Sequence, residues 1–280
     1  MKHSTFYKIL ITVFLIIVGI FIYARFYETV DIKLKEKNVI NSSLPDSFYG
    51  YKIVQLSDIH YKTTICKDEL QKIVNMVNKS KPNIIVITGD LLDKGVNYTD
   101  NDIDNLVSIM SKLNCKYKYI ITGDNDKKNI FEDIVKKINF KLLDNNYEIL
   151  YNDSTEPLLI GGISTDKDTI STNNKISSID DAIEKNNVNY SIILMHEPNI
   201  MKDIDITSYS LILAGHTLNG QINIPAIKKL TLPRNNKEYT KTYYKKRNTD
   251  IYISPGLGTT HFKARLFNKP TINLYRLLNK

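Results

Sequence analysis

Apolar residues in this chain gather into runs about one strand long, and five of the runs end on an Asp, a His or an Asp-rich turn. They are KIVQLSDIH (52–60), NIIVITGDLLD (83–93), KYIITGDND (118–126), SIILMHEP (191–198) and LILAGHT (211–217). Each is rich in β-branched residues and nearly unbroken, as expected of strands covered on both faces. Between the first two, the stretch from Asp68 to Asn78 puts Leu70, Ile73, Val74 and Val77 on one helical face. The stretch 102–113 repeats that period with Ile103, Leu106, Val107, Met110 and Leu113. This β-α-β-α-β order predicts parallel strands with right-handed crossovers. After Phe140 the helical signal thins, and short strands are predicted at 147–151, 157–163, 191–195, 210–214, 220–224, 250–254 and 271–275. The expected fold is α/β, with two stacked β-sheets flanked by helices.

The amino end follows a different pattern. From Ile9 to Ala24 it reads ILITVFLIIVGIFIYA, preceded by Lys2 and Lys8 and followed by Arg25. With Phe6 and Phe26 the stretch nears the ~20 helical residues that cross a hydrocarbon core. A buried soluble helix would carry a polar stripe, and none is present. A cleaved signal peptide would offer small residues near its cut, and Ile22-Tyr23-Ala24 supplies only one. Residues 1–26 are therefore read as an uncleaved signal anchor, one transmembrane helix. Residues 27–49 follow as a juxtamembrane strand and linker, with alternation in Val30-Asp31-Ile32-Lys33-Leu34, and residues 50–280 as the folded domain. The cations after the anchor (Arg25, Lys33, Lys35, Lys37) outnumber Lys2 and Lys8, so the positive-inside count leaves orientation open.

In layered α/β folds, residues just beyond the carboxyl ends of the strands line the ligand crevice. That rule gathers Asp58, His60, Asp90, Asp93, Asp124, His196 and His216, the carboxylates and imidazoles that suit Mn, Fe or Zn. If the first strand runs on through Asp58 and His60, its pleat points both side chains to one face. One D-x-H or GD-x-x-D alone is weak, because acids commonly cap strands and open helices. Five such motifs in order are far more specific. They resemble the calcineurin-like metallophosphoesterases, whose signature runs D-x-H, GD-x-x-D, GNH-D/E, a lone His and GH-x-H. Here the matching residues are Asp58-Ile59-His60, Gly89-Asp90-Leu91-Leu92-Asp93, Gly123-Asp124-Asn125-Asp126, His196 and Gly215-His216-Thr217-Leu218. The resemblance covers roughly residues 50 to 276, and the tail SPGLGTTHFKARLFNKPTINLY looks like the membrane-anchored bacterial branch.

The resemblance implies a two-sheet sandwich and two divalent metal ions. Asp58 and His60 would hold the first ion, Asp124, His196 and His216 the second, and Asp90 would bridge both. It further implies hydrolysis of a phosphomonoester or phosphodiester by a hydroxide shared between the ions. Relatives of this branch place the domain outside the cytoplasm, as a single-pass protein of the cell membrane.

Three positions depart from the family pattern. Asp124 stands where the second metal usually meets Asn, and Leu218 replaces the second His of GH-x-H. Asn125 replaces the His that sits near the leaving group, oriented by the acid at Asp93. An amide cannot donate a proton to an alkoxide at neutral pH, and a positioned acid is typically worth ~10²–10⁴ in rate. Asp93 and Asn125 are the candidate catalytic pair, expected to hydrogen-bond each other. His261, next to the loop Gly256-Leu257-Gly258-Thr259, is a candidate replacement acid, with a surface-loop His as the plainer reading. The alternative function is a degenerate homologue that binds metal and an anionic ligand but turns over weakly.

Composition adds little to fold and something to partners. The 280 residues are 42% hydrophobic and 24% charged, an ordinary globular balance, while the net charge of +8 favours an anionic partner. Cys66 and Cys115 form no C-x-x-C and indicate no redox or zinc motif. Between Lys228 and Arg247 lie Lys228, Lys229, Arg234, Lys237, Lys241, Lys245, Lys246 and Arg247, interleaved with Tyr239, Tyr243 and Tyr244. A solvated basic hairpin is the default reading, and an anionic lipid surface is the leading functional one. Nothing resembles a nucleic-acid-binding module. The expected partners are a phosphoester, with a lipid or cell-envelope compound in view, and the membrane itself.

Overall fold

The computed structural model describes residues 2–165, 172–225, 227–233, 236–260 and 262–280, so His261 and Arg234 lie outside the described residues. The chain opens with α1 (Lys2–Ile22), then β1 (Lys33–Ile40), β2 (Lys52–Leu56), α2 (Lys67–Ser80), β3 (Ile84–Thr88), α3 (Asp100–Met110), β4 (Tyr117–Ile121) and α4 (Lys128–Lys137). The second half runs β5 (Lys141–Leu142), β6 (Asn146–Leu150), β7 (Leu158–Ile163), α5 (Thr172–Lys185), β8 (Tyr190–Met195), β9 (Leu211–Ala214), α6 (Lys228–Thr231), β10 (Tyr243–Lys246), β11 (Thr249–Ile253) and β12 (Thr271–Leu278). Two six-stranded sheets result, ordered β1-β12-β2-β3-β4-β5 and β10-β11-β9-β8-β7-β6. Strands β2, β3, β4 and β5 pair in parallel, as do β7, β8, β9 and β11, so the motif-bearing ends all point one way.

Side-chain alternation along these strands builds three apolar layers. Ile53, Val86 and Ile121 of the first sheet meet Ile160, Leu194 and Leu213 of the second between the sheets. Val54, Leu56, Ile85 and Ile87 face the other way, against Leu70, Ile73, Val74 and Val77 of α2. Leu159, Ile193 and Ile212 do the same against Ile179 and Ala182 of α5. Both faces of each sheet are thus covered, which is why the strands read as continuous apolar runs. One polar line crosses between the sheets beneath the strand ends. The Gln55 side-chain amide donates to Thr88 Oγ1 (2.9 Å) and to the Ala214 carbonyl (3.0 Å), and accepts from the Tyr275 hydroxyl (2.9 Å).

One expectation is corrected. No strand forms at 220–224: only Ile222 bridges to Leu266, because Leu218 (φ 50°), Asn219 (φ 51°) and Gly220 (φ 67°) turn the chain left-handed just before it. Within 27–49 a strand forms as β1 and joins the first sheet. All eight residues of β1 register with β12, from Lys33 opposite Thr271 to Ile40 opposite Leu278. Val39, Leu44 and Phe48 then enter the core between the sheets.

Ahead of β1, α1 passes through a π-helical turn (Tyr23–Tyr27) and a 3₁₀ turn (Glu28–Val30). The apolar helical stretch is long enough to cross a membrane and is almost entirely exposed. Its exit is nevertheless locked to the domain. The Ala24 carbonyl accepts from Arg265 N (2.9 Å), and the buried Glu28 carboxylate accepts from Asn268 N (2.7 Å).

The clamp and β1 together set where the chain can be shortened. A chain starting at Ala24 should melt cooperatively, whereas one starting at Asn41 should melt roughly 10 °C lower, having lost Val39 and a full ladder. It should also aggregate through the uncovered β12 edge. Circular dichroism melts with light scattering measure both, and equal melting temperatures would show β1 to be dispensable.

Candidate metal centre

The strand ends break abruptly into left-handed backbone. β2 stops at Leu56, and Asp58 (φ 52°), His60 (φ 46°), Asp90 (φ 54°) and His216 (φ 66°) all take a conformation uncommon for residues other than glycine. Asp58 and His60 are therefore not aligned by a continuing pleat. Their backbones are pinned instead to the next strand's turn, Asp58 N donating to Gly89 O (3.1 Å) and His60 N to Asp90 O (3.0 Å). The glycines ahead of the acids are dictated by closeness. A Cβ on Gly89 would stand 2.5 Å from His196 Nδ1, and one on Gly123 would overlap the backbone nitrogen of Asp90.

Six of the expected residues converge. Asp58, Asp90 and His196 bring ligand atoms within 4.8 Å of one another, as do Asp124, His196 and His216. His60 Nε2 lies 3.5 Å from Asp90 Oδ2, and His196 Nε2 lies 3.3 Å from the same oxygen. Asp93 adjoins the cluster through His60, with Oδ2 at 3.6 Å from Nδ1. Asn125 does not meet Asp93 as expected. It grips Asp90, its backbone N donating to Oδ1 and its side-chain amide to Oδ2, both at 2.8 Å.

Three supporting residues carried no clear signal in the sequence. Asp126 accepts from the backbone N of Asp90 (2.9 Å), Gly123 (2.8 Å) and Leu92 (2.8 Å), tying two motifs into one turn. The Thr88 carbonyl accepts from His196 Nδ1 (2.8 Å), which leaves Nε2 free to face the cluster. Ser57 Oγ donates to Asp58 Oδ2 (2.5 Å). Asp126 belongs to a quoted motif, yet its spacing alone does not tell a metal-facing acid from one that braces the turn.

The electrostatics ask for cations. Burial raises the carboxyl of Asp58, and neighbouring Asp90 adds to the rise. Burial, with Asp90 alongside, pushes Asp126 up to about 7. Burial opposes charge on His196, but Asp90 and Asp124 outweigh it and raise the imidazole well above its ordinary value. The His60 imidazole beside Asp93 holds that carboxyl down at about 2. Both ring nitrogens of His60 are buried with no hydrogen-bond partner. A buried imidazole without partners amid carboxylates fits a bound divalent cation, with ligand bonds of ~2.0–2.2 Å.

A two-sheet α/β sandwich that gathers Asp and His at its strand ends has the donor set of a divalent-cation site. The profile of the calcineurin-like phosphoesterases matches residues 51–220, and the chain belongs to that family, a metal-dependent class of phosphoric ester hydrolases. It is similar to the uncharacterized metallophosphoesterase YkuE of Bacillus subtilis, 29% identical over 91% of this chain and 88% of that protein. A second relative from that organism, YkoQ, is 26% identical over 97% of this chain and 100% of its own length. A Danio rerio protein named "Transmembrane protein with metallophosphoesterase domain" is 26% identical over 96% of this chain and 62% of its own. Among solved structures, Haemophilus influenzae NAD nucleotidase aligns with a TM-score of 0.52 at 14% identity, over 74% of this chain and 45% of that one. That likeness bears on the fold alone.

The packing makes Gly123 and Asp126 testable apart from the ligands. Gly123→Ala should fold at lower stability and lose most bound metal, since the methyl displaces Asp90. Asp126→Ala should destabilise the fold, at about 1–3 kcal/mol for each backbone N–H that water does not reach among the three it strands. Metal analysis and urea unfolding measure both, and wild-type metal content in Gly123→Ala would refute the close-packing account.

Proposed function

We propose that this chain hydrolyses a phosphomonoester or phosphodiester at a pair of divalent cations (Mn, Fe or Zn) beside a membrane that residues 1–26 anchor it to. Asp58, His60 and Asp90 are the ligands proposed for one cation, and Asp90, Asp124, His196 and His216 for the other. The observation that carries this reading is the position of Asp90 Oδ2, 3.5 Å from His60 Nε2 and 3.3 Å from His196 Nε2, between the two groups of donors. When bound, such a pair supplies an activated water and offsets charge on the phosphoryl group. The protein's own part is positional. Thr88 sets the His196 ring, Asp93 faces His60, and Asp126 holds the Asp90 turn against its neighbours. Leu218 is buried and offers no ligand, so the first cation would rely on fewer protein donors.

A weakly active homologue is the second reading, favoured by Asn125. Its amide sits on Asp90, at the position where the family pattern has a His. His261 remains a proposed acid. Good leaving groups would need little protonation, so the substrate reading leans toward them, with a lipid or cell-envelope phosphoester as the proposed class. The domain is proposed to lie outside the cytoplasm, as in the membrane-anchored branch.

Purified protein supplied with Mn²⁺ should cleave aryl phosphates, and Asp90→Ala should lose metal and activity together, because one carboxylate serves both sites. Metal loss without any activity in the wild type would favour the weakly active homologue. Asn125→His should speed poor leaving groups by up to ~10²-fold and aryl esters little, since protonation matters only for a basic departing oxygen. An equal gain on both, or none, would remove the missing-acid explanation.

Orientation has its own probe. Cys66 is exposed and Cys115 is partly buried. A membrane-impermeant maleimide applied to intact cells should label Cys66 readily if the domain is outside, and only after lysis if it is inside.

A further inference from the structure

Two loops beside the metal centre present large apolar side chains to solvent. Leu230 is 77% exposed, Phe267 67% and Phe262 50%, far from the ordinary fate of such residues when they cluster. Phe267 is also held at φ 57°, a conformation that costs a bulky residue energy, so its outward projection is imposed by the surroundings. The two loops form one unit. Leu266 N donates to Gln221 O (3.0 Å) and Asn223 N to Leu266 O (2.8 Å), while the Asn223 side chain donates to Phe267 O (3.1 Å). The Gln221 amide reaches Phe262 O and Ala264 O, both at 3.2 Å.

This unit is also where α1 leaves the apolar stretch. Ala24 packs with Ala264 and Leu266, and Glu28 holds Asn268, the residue after Phe267. Exposed Tyr23, Phe26 and Tyr27 at that exit are the aromatic residues that settle at a bilayer's interfacial layer. Arg25, Lys228, Lys229, Lys263 and Lys269 lie in segments 21–28, 218–231 and 260–269, Lys263 beside Glu69 (3.8 Å) and Lys269 paired with Asp31 (2.6 Å), while Glu28 and Arg265 are buried. Apolar tips on segments that also carry lysines match an anionic headgroup layer.

We propose that loops 218–231 and 262–269 are a second membrane contact, with Leu230, Phe262 and Phe267 entering the interfacial layer of the bilayer that α1 crosses. The proposal rests on reading α1 as a membrane anchor. The same loops adjoin the metal centre, since Gly258 N donates to Asp58 O (2.6 Å) and Arg265 Nε to Gly258 O (3.0 Å). A phosphoester carried by a lipid would then reach the cluster without leaving the membrane.

The chain contains no Trp, so each single Trp variant is its own reporter. Full-length protein would be reconstituted in phosphatidylcholine–phosphatidylglycerol vesicles whose acyl chains carry bromine at shallow or deep positions. Phe14→Trp reports the anchor; Leu230→Trp, Phe262→Trp and Phe267→Trp report the loops; Tyr151→Trp, at the opposite end of the strands, reports solvent. The expected result is deep quenching at 14, shallow quenching at 230, 262 and 267, and none at 151. Quenching at 14 without quenching at the loop positions overturns the proposal and leaves the anchor standing. No quenching at 14 overturns the anchor reading and the proposal with it. Blue-shifted but unquenched loop reporters would mean that protein covers these tips, which also overturns it.

Discussion

Several carboxylates sit where water cannot reach them, and the rest of the centre is arranged to make that tolerable. Asp58 and Asp90 are buried within one cluster, a placement whose cost in an apolar interior is prohibitive for charges left unpaired. Backbone N–H groups carry part of the compensation: Asn125 N reaches Asp90, and His216 N reaches both oxygens of Asp58 at 3.1 and 3.2 Å. Imidazoles carry another part, through His196 and His60. These donors leave the ring nitrogens of His60 without a hydrogen bond and the acids still in excess, and divalent cations fit that remainder. The left-handed turns, the crowded glycines and the parallel strands all serve to bring those groups together.

The same constraint explains which residues depart from strand geometry. A residue two along a pleat repeats its direction at a spacing set by the strand, whereas Asp58 and His60 are each set by a hydrogen bond to the neighbouring turn. Asp126 does for the third turn what those bonds do for the first. Its three backbone contacts hold Asp90 and Gly123 against each other, so the metal-facing residues are only as well placed as this bracing acid allows.

Much of this was legible in the sequence. The five Ile- and Val-rich runs marked buried strands, and their terminal acids and histidines marked the cluster, because burial on both faces erases the polar alternation. What was hidden had weak or misleading patterns. β1 reads KLKEKNVI, legible as a strand but not as a member of the domain's sheet, because its polar face looks like a tether. α5 reads TNNKISSIDDAIEK, where Ile176, Ile179, Ala182 and Ile183 form a sparse stripe among polar residues. The contact of Asn125 with Asp90 depends on how two loops cross, which no local spacing encodes.

Arg265 shows how closely the end of the apolar helical stretch and the Asp/His cluster are joined. Its guanidinium is fully buried and donates to carbonyls alone: Nε to Gly258 O (3.0 Å), Nη1 to Asn268 O (3.1 Å) and Nη2 to Pro255 O (2.8 Å). Burial brings it down to about 10, still charged at neutral pH. A cation so enclosed cannot meet a substrate phosphate, so this part of the basic tail is architectural. Its backbone N holds Ala24 at the end of α1, while Gly258, which its side chain clasps, donates to the carbonyl of Asp58. A planar fork reaches three carbonyls from one position, which a lysine's single ammonium could not reproduce. Through this one residue, the end of the apolar helical stretch and the turn that carries a proposed metal ligand become parts of the same rigid loop.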